Sequence, residues 1–535
     1  MTRTFNLGDL FDIAAEAVPT RTAFVWDDTR VSYAELRHRS DRLAAALTRR
    51  GLRRGDTVGI MMHNHPAYLE TLLATFKIGA IPFNINFRYQ AEEVFYVIDN
   101  AQGAALLYGE EYGQLLSSIL HRLPNLRLRV EIPQQTGKPQ TAGLGQEFYD
   151  DVICEECGDT DIRSGRSGDD RMLLYTGGTT GMPKGVEWTH EACFFGALSG
   201  GSVNFSNGPI TAPEQLRERM HAPRVNLMLL PLMHGAALWA AMISFLAGMT
   251  VIMARSRKFD AELCWQLVEK ESANTLIFGG DAMAIPLMDA LKANPGRWQL
   301  DSLAALSWGG APLSPHLQAE FREHLPKAHQ TSGMGSSEGG SLGLGDVNTG
   351  GDGFMRLSPR TNLAVIVNAQ RFAKEGETGI LARTGSLPLG YWRDSAKTAE
   401  TFITLDGRRW VLTGDLTRLN QDGSMTVFGR GSTSINSGGE KIHPEEVEAV
   451  IRSNQVVRDA LVVGMPDSRW GEMVVAVVAL RDGQTISLEK MQDFCTGRLA
   501  KYKIPRKVVV CDEIRRSPAG KADYRWALEV ATASS

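Results

Sequence analysis

Apolar residues recur at three- and four-residue intervals through "VSYAELRHRSDRLAAALTRRG", Val31 to Gly51, and then close up into the run "DTVGIMM". The first spacing gives a helix one apolar face, and the second suits a buried strand. The glycine just past the periodic stretch marks the helix end. The alternation returns in "AYLETLLATFKIGAIPFNIN", "AALLYG", "VNLMLLPL", the apolar run from Ala236 to Leu246, "MTVIMA" and "LCWQLVEKESANTLIFGG". Strands alternating with helices predict an α/β fold built on doubly wound, largely parallel sheets.

Two polar stretches interrupt the pattern. Residues 132–170 are polar and punctuated by Gly and Asp and read as a surface connection, and Ser202 to Arg224 reads as a solvated insertion, with cover over a substrate entrance as the alternative. Past Gly429 the character changes. "ALVVGMPDSRWGEMVVAVVAL" predicts two strands around a turn, "LEKMQDFCTGRLAKYKI" a helix and "KVVVCDEI" a strand, together a compact α+β tail of about a hundred residues.

The chain has 535 residues, enough for more than one domain, and a formal charge of only -4 with no long basic run, which argues against nucleic acid as a partner. The N-terminus lacks the basic start and apolar core of a signal peptide, and no apolar run is long enough to span a bilayer. Six cysteines over this length fit a reducing compartment, so the expected location is cytoplasmic. Cys154 and Cys157 form one C-x-x-C with no second pair, which reads as chance spacing.

The most informative stretch is "LLYTGGTTGMPKGVEWTH", Leu173 to His190. Gly177, Gly178 and Gly181 let backbone N–H groups turn toward one anion, Thr176, Thr179 and Thr180 add hydroxyl donors, and Lys184 adds a positive charge. A polyphosphate is the natural occupant. The pattern departs from the common nucleotide loop, because Gly185 follows Lys184 where that loop has Ser or Thr for magnesium. A plain turn between two strands is the structural alternative.

Four further stretches complete an ordered set: "WGGAPLS" from Trp308, "GMGSSEGG" from Gly333, "WVLTGDLTRLNQDGSMTVFGRGSTSINSGGEKIHPEEVE" from Trp410 and "RRSPAGKADYR" from Arg515. In this order, over nearly the whole chain, they resemble the acyl-adenylate-forming superfamily of acyl-CoA synthetases, peptide-synthetase adenylation domains and firefly luciferase. The resemblance implies a large N-terminal ATP- and acyl-binding domain over 1–430, a small mobile domain over 431–535, and an active site between them. It implies that Thr176 to Lys184 binds the β- and γ-phosphates of ATP and that Glu338 binds Mg2+. Asp415 would hold the ribose hydroxyls with Arg430 beside it. Gly309, Gly310 and Ala311 would run along adenine and the acyl group, with Gly333, Met334, Gly335, Ser336 and Ser337 completing the nucleotide site. His234 would stand at the mouth of the acyl pocket, and Lys521 would be the catalytic lysine. The hinge would fall at Ser432 or Thr433, where the family usually carries a charged residue, and Met334 stands where an aromatic commonly stacks on adenine.

The implied reaction is attack of a carboxylate on the α-phosphorus of ATP, followed by transfer of the acyl group to CoA. No phosphopantetheine-bearing module follows Lys521, so CoA is expected rather than a carrier domain. An adenylating enzyme serving a separate carrier protein is the alternative, and a nucleotide-binding protein without catalysis is disfavoured by the retained Lys521 and Glu338. The glycine-rich stretches "FFGALSGG", "LIFGG", "WGGAP" and "SEGGSLGLG" leave room for a bulky acid or serve close backbone packing. Resemblance to actinobacterial-type steroid side-chain synthetases makes a steroid carboxylate or a fatty acid the expected substrate. A homo-oligomer is left open.

Overall fold

The computed structural model describes residues 3–133, 147–158, 160–176, 182–201, 208–254, 258–311, 313–345, 354–430, 435–437, 440–467, 471–499, 501–517 and 520–534. The chain is α/β, and it divides into two compact units. The first is Met1–Lys258 with Ser336–Ser341 and Gly385–Phe402, and the second is Phe259–Gly335 with Leu342–Thr384 and Ile403–Ser535.

In the first unit the helix predicted from Val31 forms over Tyr33–Arg49. Ser32 caps it by accepting a hydrogen bond from the Glu35 N–H at 3.1 Å, and Leu36, Leu43 and Leu47 lie on its buried face. The strand Thr57–Met61 follows, lying parallel to both Ile81–Asn84 and Ala105–Gly109. The helix Pro66–Lys77 connects two of these strands, its first position filled by a proline that has no N–H to lose there. Arg171–Thr176 and Lys184–Thr189 extend the same sheet as an antiparallel pair, so the sheet is mixed.

The polar stretch over 132–170 is only partly superficial. Arg166 is buried, with Nη1 3.0 Å from both Asp9 and Asp12, and buried Asp170 accepts from Asn6 at 2.8 Å. Sequence polarity reports charge and not exposure, and charges that find partners can be buried. Burial alone would raise the Asp12 carboxyl, but Lys77, Arg166 and Arg37 outweigh it and hold the group at about 2. The stretch Ser202 to Arg224 also differs from a solvated insertion, because Ile210, Pro213 and Leu216 are buried.

In the second unit Thr275–Phe278, Ala305–Gly309 and His329–Ser336 run parallel. A second sheet is antiparallel and includes the long strand Arg408–Leu419 paired with Met425–Arg430. The C-terminal tail forms the small α+β domain. Its strands Val457–Asp467 and Gly471–Leu480 pair antiparallel, and Lys507–Cys511 joins parallel. The run "VVAVVA" is apolar throughout because both faces are covered. Val474, Ala476 and Val478 pack with Val447, Ile451 and Met491 on one side, while Val475, Val477 and Ala479 pack with Ala527 and Ala531 on the other. The helix expected from "LEKMQDFCTGRLAKYKI" covers only Leu488–Cys495, because the chain turns through Gly497 at φ 78°.

Candidate active site

In the first unit, the register of the Arg171–Thr176 and Lys184–Thr189 hairpin sets Thr176 directly opposite Lys184. The loop does join two strands, and Gly177, Gly178, Thr179, Thr180 and Gly181 lie outside the described residues. Lys184 Nζ is 2.7 Å from Asp394 Oδ2 and 5.7 Å from the centre of the Tyr391 ring. Asp394 caps the helix Ser395–Thr401, accepting from the Lys397 N–H at 2.9 Å through its other oxygen. The hydrogen bond from Lys184, aided by that N–H, holds the Asp394 carboxyl below its ordinary range. Three residues earlier, Tyr391 pairs with Val186 through the backbone and donates its hydroxyl to Glu338 Oε1 at 2.9 Å. One short segment therefore touches both the lysine and the glutamate implicated by the motifs. Trp188 supports the glutamate's turn by donating Nε1–H to the Ser337 carbonyl at 2.9 Å, and Ser336 Oγ accepts from the Gly339 N–H at 2.8 Å.

Asn84 braces the same unit. Its Nδ2 donates to the carbonyls of Tyr175 at 2.9 Å and Met233 at 2.7 Å, and its Oδ1 accepts from the Tyr175 N–H at 2.7 Å. It thereby ties the strand leading into the glycine-rich loop to the residue before His234, the N-cap position of the helix Gly235–Leu246. Replacing Asn84 with Ala is expected to destabilise the protein by about 3 kcal/mol, since buried backbone groups lose their partners. A thermal melt checks this, with nucleotide affinity as a second readout. The sequence signal was a polar residue ending an apolar strand.

In the second unit, Gly309 pairs with Gly333, and a Cβ on Gly309 would sit 3.1 Å from the Gly333 carbonyl oxygen. Gly200, in the other unit, has φ 58° and would place a Cβ 2.9 Å from Phe195. At these positions glycine serves close packing, not pocket volume. Gly310 turns the chain at φ 78° ahead of Ala311. Met334 packs half-buried against the core containing Leu342, Leu357 and Met425. Asp415 is buried, its N–H donating to Thr413 Oγ1 at 3.2 Å, and its strand register sets it opposite Arg430. Ser432 and Thr433 lie outside the described residues, as does the Arg430 side chain.

Lys521 is exposed at the end of a tight turn. Ser517 N–H donates to its carbonyl at 2.8 Å, and its own N–H donates to Ser517 Oγ at 3.1 Å. Gly520 has φ 74°, and a Cβ there would collide with the Gly279 carbonyl and lie 3.6 Å from the Ala311 Cβ. The turn thus lies against the segment that the motifs place along the nucleotide.

Near Asp415, Glu445 is half-buried beside Glu448, with Arg452 also facing it. Burial first, and the Glu448 charge second, push its carboxyl up to about 8, with a smaller push from Asp415 against the pull of Arg452. The folded protein therefore holds a proton that the unfolded chain releases near the ordinary glutamate value. Stability from this group is full below that value and is lost as pH rises through about 8. Denaturation midpoints should fall over that range and flatten in Glu445→Gln.

The family model for the AMP-binding enzyme matches residues 11–392, and that for the AMP-binding enzyme C-terminal domain matches 446–521. A 3-oxocholest-4-en-26-oate--CoA ligase of Rhodococcus rhodochrous is 39% identical over 98% of this chain and 95% of its own. A medium/long-chain-fatty-acid--CoA/3-oxocholest-4-en-26-oate--CoA ligase of Mycobacterium marinum is 39% identical over 99% and 97%. Among solved structures, an anthranilate CoA ligase in complex with anthranoyl-AMP superposes with a TM-score of 0.82 at 21% identity, over 98% of both chains. The likeness runs the length of both domains, and the chain belongs to the AMP-binding enzyme family. Within that family it is an AMP-forming acid–thiol ligase, an acyl-CoA synthetase working with ATP, Mg2+ and CoA. Among the described residues no helix is long and apolar enough to cross a membrane.

Proposed function

We propose that this ligase activates a long or bulky carboxylic acid, with a steroid side-chain carboxylate as the sharper assignment and a fatty acid as the other member of the class. Support for the acid comes from the two full-length relatives whose names carry a sterol-derived acid. The glycine-rich stretches lend less support, because Gly200 and Gly309 are packed too closely to leave space.

The chemistry follows from charge. A carboxylate is a poor electrophile, so its oxygen first attacks the α-phosphorus and pyrophosphate leaves. The CoA thiol then attacks the acyl carbonyl and AMP leaves. Both reactants of the first step are anions, so cations must offset their repulsion. In this reading Lys184 sits on the leaving phosphates and Lys521 bridges the carboxylate and an α-phosphate oxygen. Asp415 holds the ribose hydroxyls with Arg430 beside it, and His234 borders the acyl group. Ser432 or Thr433 would be the hinge between domains 1–430 and 431–535, and the enzyme would work in the cytoplasm.

The observation that carries the reading is the single segment holding Lys184 at Asp394 and Glu338 at Tyr391. Mg2+ fits Glu338. The carboxylate is a hard oxygen ligand, and among the described residues no group of three His, Cys, Asp or Glu could hold a metal. Glu338 would supply a carboxylate oxygen to the ion, with the Tyr391 hydroxyl orienting that carboxylate at 2.9 Å. When bound, the ion neutralises phosphate charge as pyrophosphate departs. To test the acid, the enzyme is given ATP, Mg2+, CoA and a competing mixture of fatty and steroid side-chain acids, and the thioesters are weighed by mass spectrometry. A dominant steroid thioester supports the sharper assignment, and a dominant fatty acyl-CoA removes it.

A further inference from the structure

A ring of contacts in the second unit closes on the Lys521 turn. Arg452 ends the helix Pro444–Arg452 and its side chain is 4% exposed. Its Nε lies 3.0 Å from Asp281 Oδ2 and donates to Ser314 Oγ at 3.1 Å. Its Nη1 donates to the Ala460 carbonyl at 3.0 Å and to Glu448 at 3.3 Å, and lies 3.8 Å from Asp459. Asp459 is gripped by Arg516 through two bonds of 2.7 and 2.8 Å. Arg516 then donates Nη1–H to the Gly520 carbonyl at 3.3 Å. Gly520 is packed on Gly279, two residues before Asp281, where the ring began.

As a whole such an arrangement contributes little net stability, although removing one buried partner leaves the other uncompensated. Desolvating several charges costs free energy that their attraction only roughly recovers, and apolar residues of similar volume commonly serve as well. Its distinguishing property is directional: Arg516 fixes Asp459 through two bonds in planar geometry, and Arg452 spreads single contacts over Asp281, Ser314, Glu448 and the Ala460 carbonyl, a directionality that loose apolar packing would not supply. The last bond falls on the carbonyl immediately before Lys521.

We propose that Asp281, Arg452, Asp459 and Arg516 are positioning residues that hold the Lys521 turn in place for the adenylate-forming half of the reaction. The inference rests on Lys521 acting in that half. The chemistry makes no demand on this ring in the second half, where a thiol displaces AMP from an adenylate already formed. A displacement of about 1 Å at a reacting group can cost a factor of about 100 in rate.

The test uses the full-length enzyme and separates the halves. Arg516→Gln and the isosteric Asp281→Asn are compared with wild type for acid-dependent ATP–pyrophosphate exchange, and for thioester formation from CoA and a synthetic acyl-adenylate. Exchange should fall about 10- to 100-fold in both variants, thioester formation from the supplied adenylate should stay near wild type, and Arg516→Lys should recover part of the loss. Equal loss in both halves, or full exchange in a variant that melts normally, overturns the proposal. Lys521→Ala run beside them keeps the premise separate: if that variant exchanges normally, the role of Lys521 fails, whatever Arg516→Gln does.

Discussion

Lys521→Ala should lower acid-dependent ATP–pyrophosphate exchange by about 100- to 1,000-fold, the usual loss when one preorganised donor to a developing charge is removed. The ammonium is the group proposed to span the carboxylate and the α-phosphate, so without it two anions must approach with less compensation. Folding should be unaffected. The side chain is exposed, and the turn that presents it is held by the Lys521 backbone, whose carbonyl accepts from the Ser517 N–H and whose N–H donates to Ser517 Oγ, and by the packing of Gly520, all of which the substitution leaves in place. An unchanged melt with a collapsed exchange rate is therefore the expected pair of readings. Exchange close to wild type would mean that the first step does not use this lysine.

Glu338→Gln should reduce the same exchange by about 100-fold or more, because the substitution keeps the shape and removes the charge suited to Mg2+. Tyr391→Phe should give a smaller version of the same defect. The Tyr391 hydroxyl orients one carboxylate oxygen at 2.9 Å, and outer partners of metal ligands typically carry about 10- to 100-fold in affinity or activity. The discriminating readout is nucleotide binding with and without Mg2+ in the absence of acid. Both variants should lose the increment that the ion adds, and metal-free nucleotide affinity should stay near wild type. If metal-free affinity falls as far as the metal-dependent value, the defect lies in the fold of the segment and not in the metal ligand.

What the sequence revealed followed from local periodicity and ordered motifs. Tyr33–Arg49 and Thr57–Met61 were legible because one apolar face and one buried run leave little choice of element. Lys184, Glu338, Asp415 and Lys521 were nameable because each stands at a fixed place in a recurring motif. Their partners were not. Asp394 lies 210 positions from the lysine it pairs with, and Tyr391 lies 53 from Glu338, so only the folded sheet brings them together. Arg166 and Asp170 were read as surface because their polarity is local while their neutralising partners are remote. Arg452 carried no signal beyond being a basic residue in an ordinary α+β tail, and Arg516, though inside the motif that carries Lys521, gave no hint of its remote partner Asp459. The glycines illustrate the opposite limit: composition left both volume and close packing open at Gly200 and Gly309, and the backbone decides for close approach.

In the proposed reaction the carboxylate itself attacks the α-phosphorus, and oxygen labelling tests that directly. With an acid carrying 18O in both carboxylate oxygens, one labelled oxygen should form the bridge to phosphorus and remain on AMP after CoA displaces it. The expected result is AMP heavier by one 18O per turnover, together with an acyl-CoA that retains the other. Label in the pyrophosphate, or unlabelled AMP accompanying a fully labelled acid, would contradict it.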